Sequence, residues 1–176
     1  MIRLTPQGLL FRGKTYPCTV GRGGLTRDKR EGDGATPIGL HRIVGLYHRP
    51  DRIANAPRWS VPIGPRDLWC DESGHPAYNH PVRAPFDASH EAMRRADPLY
   101  DLVLVTDWNF PQAQAGKGSA IFIHTWRRVG FPTAGCIALR QDHLLDLAQC
   151  IAPNESLLIP PLARFRPRGH MGRDKA

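Results

Sequence analysis

Short apolar or β-branched runs, each cut off by glycine or proline after a few residues, recur along the whole 176-residue chain and limit what it can fold into. They lie at residues 8–11, 16–20, 40–47, 102–106, 120–124, 136–139 and 157–159. Runs of this length, rich in Val, Ile, Leu and Phe, suit a pleated, half-buried surface and are too short for stable helices. With 17 Gly and 17 Pro, the joints between them, such as Glu31-Gly32-Asp33-Gly34-Ala35-Thr36-Pro37 and residues 60–67, supply the unusual φ values and fixed turns that strand connections need. The expected fold is therefore mainly β. Two segments have helical character: residues 89–96, with Ser89 as N-cap, and residues 140–151, where Leu144, Leu145, Ala148 and Ile151 make one apolar stripe.

Length fits one domain, expected over residues 1–163, followed by a basic tail at 164–176 rich in Pro, Arg and Gly. The formal charge of +8 points to a polyanionic partner, and bacterial wall polymer, anionic lipid and nucleic acid all carry that charge. Neither basic run, residues 22–30 or the tail, is interleaved with the aromatic pattern of a base-stacking surface, so dedicated nucleic-acid binding is not expected and the runs read as solvated faces. No 18-residue apolar stretch occurs, which argues against an integral membrane segment, and the N-terminal apolar run 8–11 is shorter than a signal-peptide core. Cys18, Cys70, Cys136 and Cys150 form no CxxC pair and no zinc-type spacing, so a metal centre is not expected; a disulfide between two of them stays open.

Chemistry concentrates in two neighbouring segments. Gly118-Ser119-Ala120-Ile121-Phe122-Ile123-His124 reads as a buried strand ending in a histidine, and Thr133-Ala134-Gly135-Cys136-Ile137 follows after a short loop. A thiol attacks only as thiolate, and an imidazole in hydrogen-bond reach both lowers its pKa and carries its proton. His124 is the candidate base, and labelling of Cys136 by iodoacetamide is then expected to persist below pH 7. Gly135 allows the sharp turn that uncovers backbone amides, and the Gly135 and Cys136 N–H groups are the expected oxyanion donors. Read on residue type alone, Cys136 also fits a small buried hydrophobe, and His124 a satisfied core histidine.

Thr133-Ala134-Gly135-Cys136-Ile137, with His124 upstream, resembles the catalytic signature of the YkuD-type L,D-transpeptidases: Ser or Thr, His, Gly, Cys, a hydrophobic residue, then Arg or Asn. Residues 31–39 resemble that family's early Gly-Asp-Gly-x-Thr-Pro-x-Gly turn. Trp69-Cys70-Asp71, Tyr78-Asn79 and residues 100–104 extend the likeness to a compact branch over roughly residues 13–160. The resemblance implies an antiparallel β-sandwich with one or two short helices. It also implies acyl transfer through a Cys136 thioester from one peptidoglycan stem peptide to an amine of another, with no metal or organic cofactor, in the periplasm or cell envelope, and with carbapenems as inhibitors.

Ala134 stands where many members have His, and Ala138 stands where Arg is usual, with Arg140 two residues on. The loop tip 126–132 is aromatic and basic. The expected substrate contacts are therefore Thr133, Arg140, Trp126, Arg127, Tyr78 and Asn79. Hydrolysis of the same thioester, as a carboxypeptidase or amidase, and an inactive wall-binding module are the alternative readings. Oligomeric state is not encoded in any pattern found.

Overall fold

The computed structural model describes residues 1–162 and Phe165, so the tail expected at 164–176 lies, Phe165 apart, outside the described residues. Four strands open the chain: β1 (Ile2–Thr5), β2 (Gly8–Phe11), β3 (Lys14–Tyr16) and β4 (Cys18–Thr19). A parallel pair follows, β5 (Leu25–Thr26) and β6 (Thr36–Pro37), then the long β7 (Gly39–His48) and the short β8 (Val61–Pro62). Next come β9 (Asp67–Cys70), β10 (Pro81–Arg83) and β11 (His90–Ala92). The closing elements are β12 (Leu102–Thr106), β13 (Phe122–Thr125), β14 (Ile137–Leu139), α1 (Gln141–Cys150) and β15 (Glu155–Ile159).

The main sheet runs β3-β2-β1-β15-β7-β12-β13-β14-β4, with β8 added to β7. Its two edges, β3 and β4, are consecutive in the chain with only Pro17 between them, so the sheet must curl until its edges nearly meet. Pro17 also splits the single strand expected at 16–20, because its nitrogen has no hydrogen to give a ladder. The expected antiparallel sandwich is accordingly a mixed one: β1–β15, β13–β14 and β7–β8 are parallel, and the remaining pairs of the main sheet are antiparallel.

Alternation along the central strands sorts side chains into two cores. Leu102 and Leu104 of β12, Ile123 of β13, and Ile137 and Leu139 of β14 join the larger core, which α1 covers with Leu144, Leu147 and Ala148. Val103 and Val105 and Phe122 point the other way, into a second core with Trp69, Met93, Tyr100 and Cys136. Above that second core lies the small sheet β10-β9-β11.

The helix expected at 140–151 is present as α1, although Leu147, and not Leu145, completes its buried stripe. The helix expected at 89–96 is absent. Residues 90–92 instead pair with β9 in the register His90–Cys70, Glu91–Trp69 and Ala92–Leu68. A helix of two turns is marginal in water, whereas the strand satisfies the second edge of β9 and drops Met93 into the core beside Trp69.

Candidate active site

Cys136 and His124 meet because of the register between β13 and β14. The parallel ladder sets Ile123 beside Ile137 and His124 beside Ala138. Both Ile residues belong to the larger core, so the flanking positions, Phe122 and His124 on one strand and Cys136 and Ala138 on the other, share the opposite face. His124 and Cys136 thus stand diagonally across adjacent strands, within reach of long side chains, and both line one cleft of about 400 Å³. Cys136 is 9% exposed and His124 5%.

The His124 ring is oriented by a backbone group. Its Nδ1 lies 2.8 Å from the Thr125 carbonyl oxygen, which can only accept, so Nδ1 carries the proton and Nε2 keeps a free lone pair. The ring edge packs on Tyr100, with centroids 5.3 Å apart. Burial pushes the imidazole down to about 4 despite the opposing Thr125 carbonyl, so it is neutral at pH 7. Burial likewise pushes the Cys136 thiol up to about 12, with the Phe122 N–H opposing and Glu91 adding to the rise. The resting pair is therefore thiol and neutral imidazole. The thiolate expected below pH 7 does not form, because neither charge has enough compensation in this dry corner. Sγ donates to the Ala120 carbonyl oxygen at 3.1 Å and accepts from the Phe122 N–H at 3.4 Å, so its hydrogen is turned toward Ala120 and must swing about the Cβ–Sγ bond to be given to another acceptor.

The backbone around the thiol is tightly fastened. Gly135 has φ +143, a conformation open to glycine, and a Cβ there would meet the Ala35 carbonyl oxygen at 3.1 Å. Thr133 bridges the turn: its hydroxyl donates to the Cys136 carbonyl at 2.6 Å and accepts the Gly135 N–H at 3.1 Å. That second bond corrects the expected oxyanion pair, since the Gly135 amide is already engaged. The Cys136 N–H has no hydrogen bond among the described residues and is the amide left for a ligand.

The remaining expected contacts divide cleanly. Thr133, Trp126 and Arg127 line the cleft with Gly135, and Arg127 stacks on Phe131 with its charge 5.4 Å from the ring centroid. Arg140 does not line it: it precedes α1, exposed, and its guanidinium is fastened to Asp142. Asn79 is buried away from the cleft, where its side chain accepts from Trp69 Nε1 and the Ala120 N–H and donates to the Trp108 and Asn109 carbonyls. Tyr78 is equally buried and donates its hydroxyl hydrogen to Glu31 Oε2 at 2.5 Å. Both residues brace the cleft wall through Ala120 and Glu31.

Several cleft residues were not singled out by sequence. Lys29, read there as part of a solvated run, has a side chain only 3% exposed; it holds Asp33 at 2.7 Å and the Arg30 carbonyl at 2.6 Å. The i, i+4 pairing of Lys29 with Asp33 inside the Gly-Asp-Gly turn was the available signal. Glu31, Asp71 and Glu91 also face the cleft, and burial raises the Glu91 carboxyl. Arg22 lines it too, and among the described residues neither Arg22 nor Arg127 has a carboxylate partner. Four cysteines are free, and no group of three or more His, Cys, Asp or Glu among the described residues could hold a metal ion. No described helix is long and apolar enough to cross a membrane.

A family model, YkuD, described as the L,D-transpeptidase catalytic domain, matches residues 5–159. No curated protein and no solved structure matches the chain.

Folding lowers the His124 pKa, so between about pH 4 and 6.5 the unfolded chain takes up the proton first and stability is lost as pH falls through that window. The loss should total about 3 kcal/mol and shrink by that amount in His124→Gln, as read by urea unfolding at successive pH values. For the raised thiol, the labelling rate of Cys136 with iodoacetamide should climb steadily from pH 6 to 9 with no plateau below pH 7; a flat profile in that range would show a preformed thiolate.

Proposed function

Because the chain belongs to the YkuD family of L,D-transpeptidase catalytic domains, we propose that it transfers acyl groups between peptidoglycan stem peptides through a thioester on Cys136. Residues 1–163 act as one catalytic domain, its work lies in the cell envelope, and residues 164–176 add a basic extension toward an anionic wall. The observation that carries this reading is the shared cleft face of Cys136 and His124, with Nε2 free while Nδ1–H is held by Thr125.

In the acylation half, Sγ forms a bond to a stem-peptide carbonyl carbon as its proton passes to His124 Nε2, and the C=O π pair moves onto oxygen. The Cys136 N–H faces that oxyanion. On collapse the C–N bond breaks, His124 returns its proton to the departing amine, and the thioester remains. An amine of a second stem then attacks the thioester carbon, loses a proton to Nε2, and expels the thiolate, which takes the proton back. Starting from neutral groups suits this sequence, because the thiolate appears only when a carbonyl is there to receive its electrons. It also spares a resting thiolate from oxidation.

Arg22 and Arg127, which face the cleft without a carboxylate partner among the described residues, are the proposed holders of the donor's carboxylate, taking the place that Arg140 does not occupy. Thr133 and Trp126 complete the contacts. Glu31, Asp71 and Glu91 suit the ammonium group of an acceptor stem.

Incubation with purified disaccharide-peptides followed by mass spectrometry should yield crosslinked dimers. None should form with Cys136→Ala, and His124→Ala should be slower by about 10²–10⁴-fold. Trimmed monomers in place of dimers would make water the acceptor, and wall binding without any product would leave a binding module. A carbapenem should leave one covalent adduct, on Cys136, visible in the intact mass and lost in Cys136→Ala; an active enzyme without that adduct would remove the inhibitor from this picture.

A further inference from the structure

Thr36 carries no charge and does not line the cleft, yet it holds the backbone of the nucleophile from behind. Its side chain is fully buried. The hydroxyl donates to the Gly135 carbonyl oxygen at 2.7 Å and accepts the Gly21 N–H at 2.9 Å, so both its capacities are used on backbone. Three chain segments touch at this point with no room between them: a Cβ on Gly21 would meet the Gly34 carbonyl oxygen at 2.1 Å and the Gly135 Cα at 3.0 Å.

The Gly135 carbonyl and the Cys136 N–H belong to one peptide group. In a planar trans peptide these two point to opposite sides. Thr36 draws the carbonyl inward, away from the cleft that Gly135 and Cys136 line, and the N–H of the same plane is turned outward into it. Thr133 cannot do this alone, because its hydroxyl is spent on the next carbonyl, that of Cys136, and on the Gly135 N–H.

We propose that Thr36 is the positioning residue of the oxyanion site: by its hydrogen bond to the Gly135 carbonyl it aims the Cys136 N–H at the oxygen that gains charge during acyl transfer. The proposal rests on the acyl-transfer reading above and adds to it a residue outside the reacting groups. It separates two reactions of the same thiol. Acylation by an ester passes through a tetrahedral oxyanion, whereas alkylation by iodoacetamide is a displacement at carbon in which the S–C bond forms as iodide leaves, with no oxyanion to hold.

The test compares wild type, Thr36→Val and Thr36→Ser for p-nitrophenolate release by p-nitrophenyl acetate, alkylation by iodoacetamide, and kcat and KM on disaccharide-peptides. Thr36→Val should lose about 10–10³-fold in acylation and in kcat with KM little changed, the range for a mispositioned or missing oxyanion donor, while alkylation stays near the wild-type rate. Thr36→Ser, which keeps the hydroxyl, should restore acylation. A parallel fall of acylation and alkylation would reduce Thr36 to general support of the loop, and unchanged acylation in Thr36→Val would remove the proposal outright. Should Val not fold, Thr36→Ala, which leaves space for a water to the same two backbone groups, should show a smaller loss with the same selectivity, and a loss without that selectivity counts against the proposal. Ester acylation needs no stem peptide. A wild type that is acylated by the ester yet inert on stem peptides therefore overturns the substrate reading and leaves Thr36 in place, and a wild type that no ester acylates overturns the oxyanion site itself.

Discussion

The parallel ladder between β13 and β14 is the constraint on which the chemistry depends, because it locks Ile123 against Ile137 inside the larger core. Each strand has period two, so fixing the apolar residues on one face fixes Phe122, His124, Cys136 and Ala138 on the other. A slip of one residue would bury Cys136 among leucines and carry Ile137 into the cleft. The hydrophobic gain of burying two isoleucines, about 2–3 kcal/mol each, therefore also fixes which face of the sheet carries the proposed catalytic pair. A parallel pair needs a crossover, here residues 126–136, and that connection supplies Trp126, Arg127, Thr133 and Gly135 to the cleft mouth.

Burial sets the electrostatics of that face as well as its shape. Tyr100, Phe122 and Trp69 exclude water beneath the thiol, and the same exclusion disfavours both a thiolate and an imidazolium at rest. In the proposed mechanism such a pair gains reactivity by moving a proton at the moment of attack, which requires a base whose lone pair already points at the cleft. Thr125 provides that orientation through a backbone carbonyl, with no need of a third side chain.

How much of this was legible follows from the range of each signal. Local apolar runs gave β2, β7 and β12 nearly to the residue and the last three residues of β15, and the Gly-Cys turn with an upstream histidine singled out Cys136 and His124, which the fold places on one cleft. Residues 89–96 misled because Glu, Ala, Met and Arg favour helix locally, while the open edge of β9, which claims them as a strand, is twenty residues away and invisible to a window of that size. Arg140 misled for a related reason: closeness in sequence to Cys136 suggested a ligand, but β14 ends before it, and Asp142 at the start of α1 captures its guanidinium. Arg22, which does reach the cleft, lies more than a hundred residues from the thiol, and only the curl of the sheet brings it there.

The Gly-Asp-Gly-Ala-Thr-Pro turn shows the same lesson at closer quarters. Its glycines and proline announce a change of direction, and nothing in their spacing announces a destination. In the fold, its charged residues are absorbed internally: Asp33 takes the Lys29 ammonium and the Arg30 and Ala35 amides, which holds an otherwise costly cation beside the cleft. The glycines on both sides then let the backbone of this turn lie directly against Gly21 and Gly135, closer than any side chain would permit. At such contact distances a single hydroxyl can join two segments, and Thr36 of β6 does so between Gly21 and Gly135, next to Cys136. The turn's rigidity is thereby passed to Cys136 through backbone groups, a route that leaves almost no mark on the pattern of side chains from which a sequence is read.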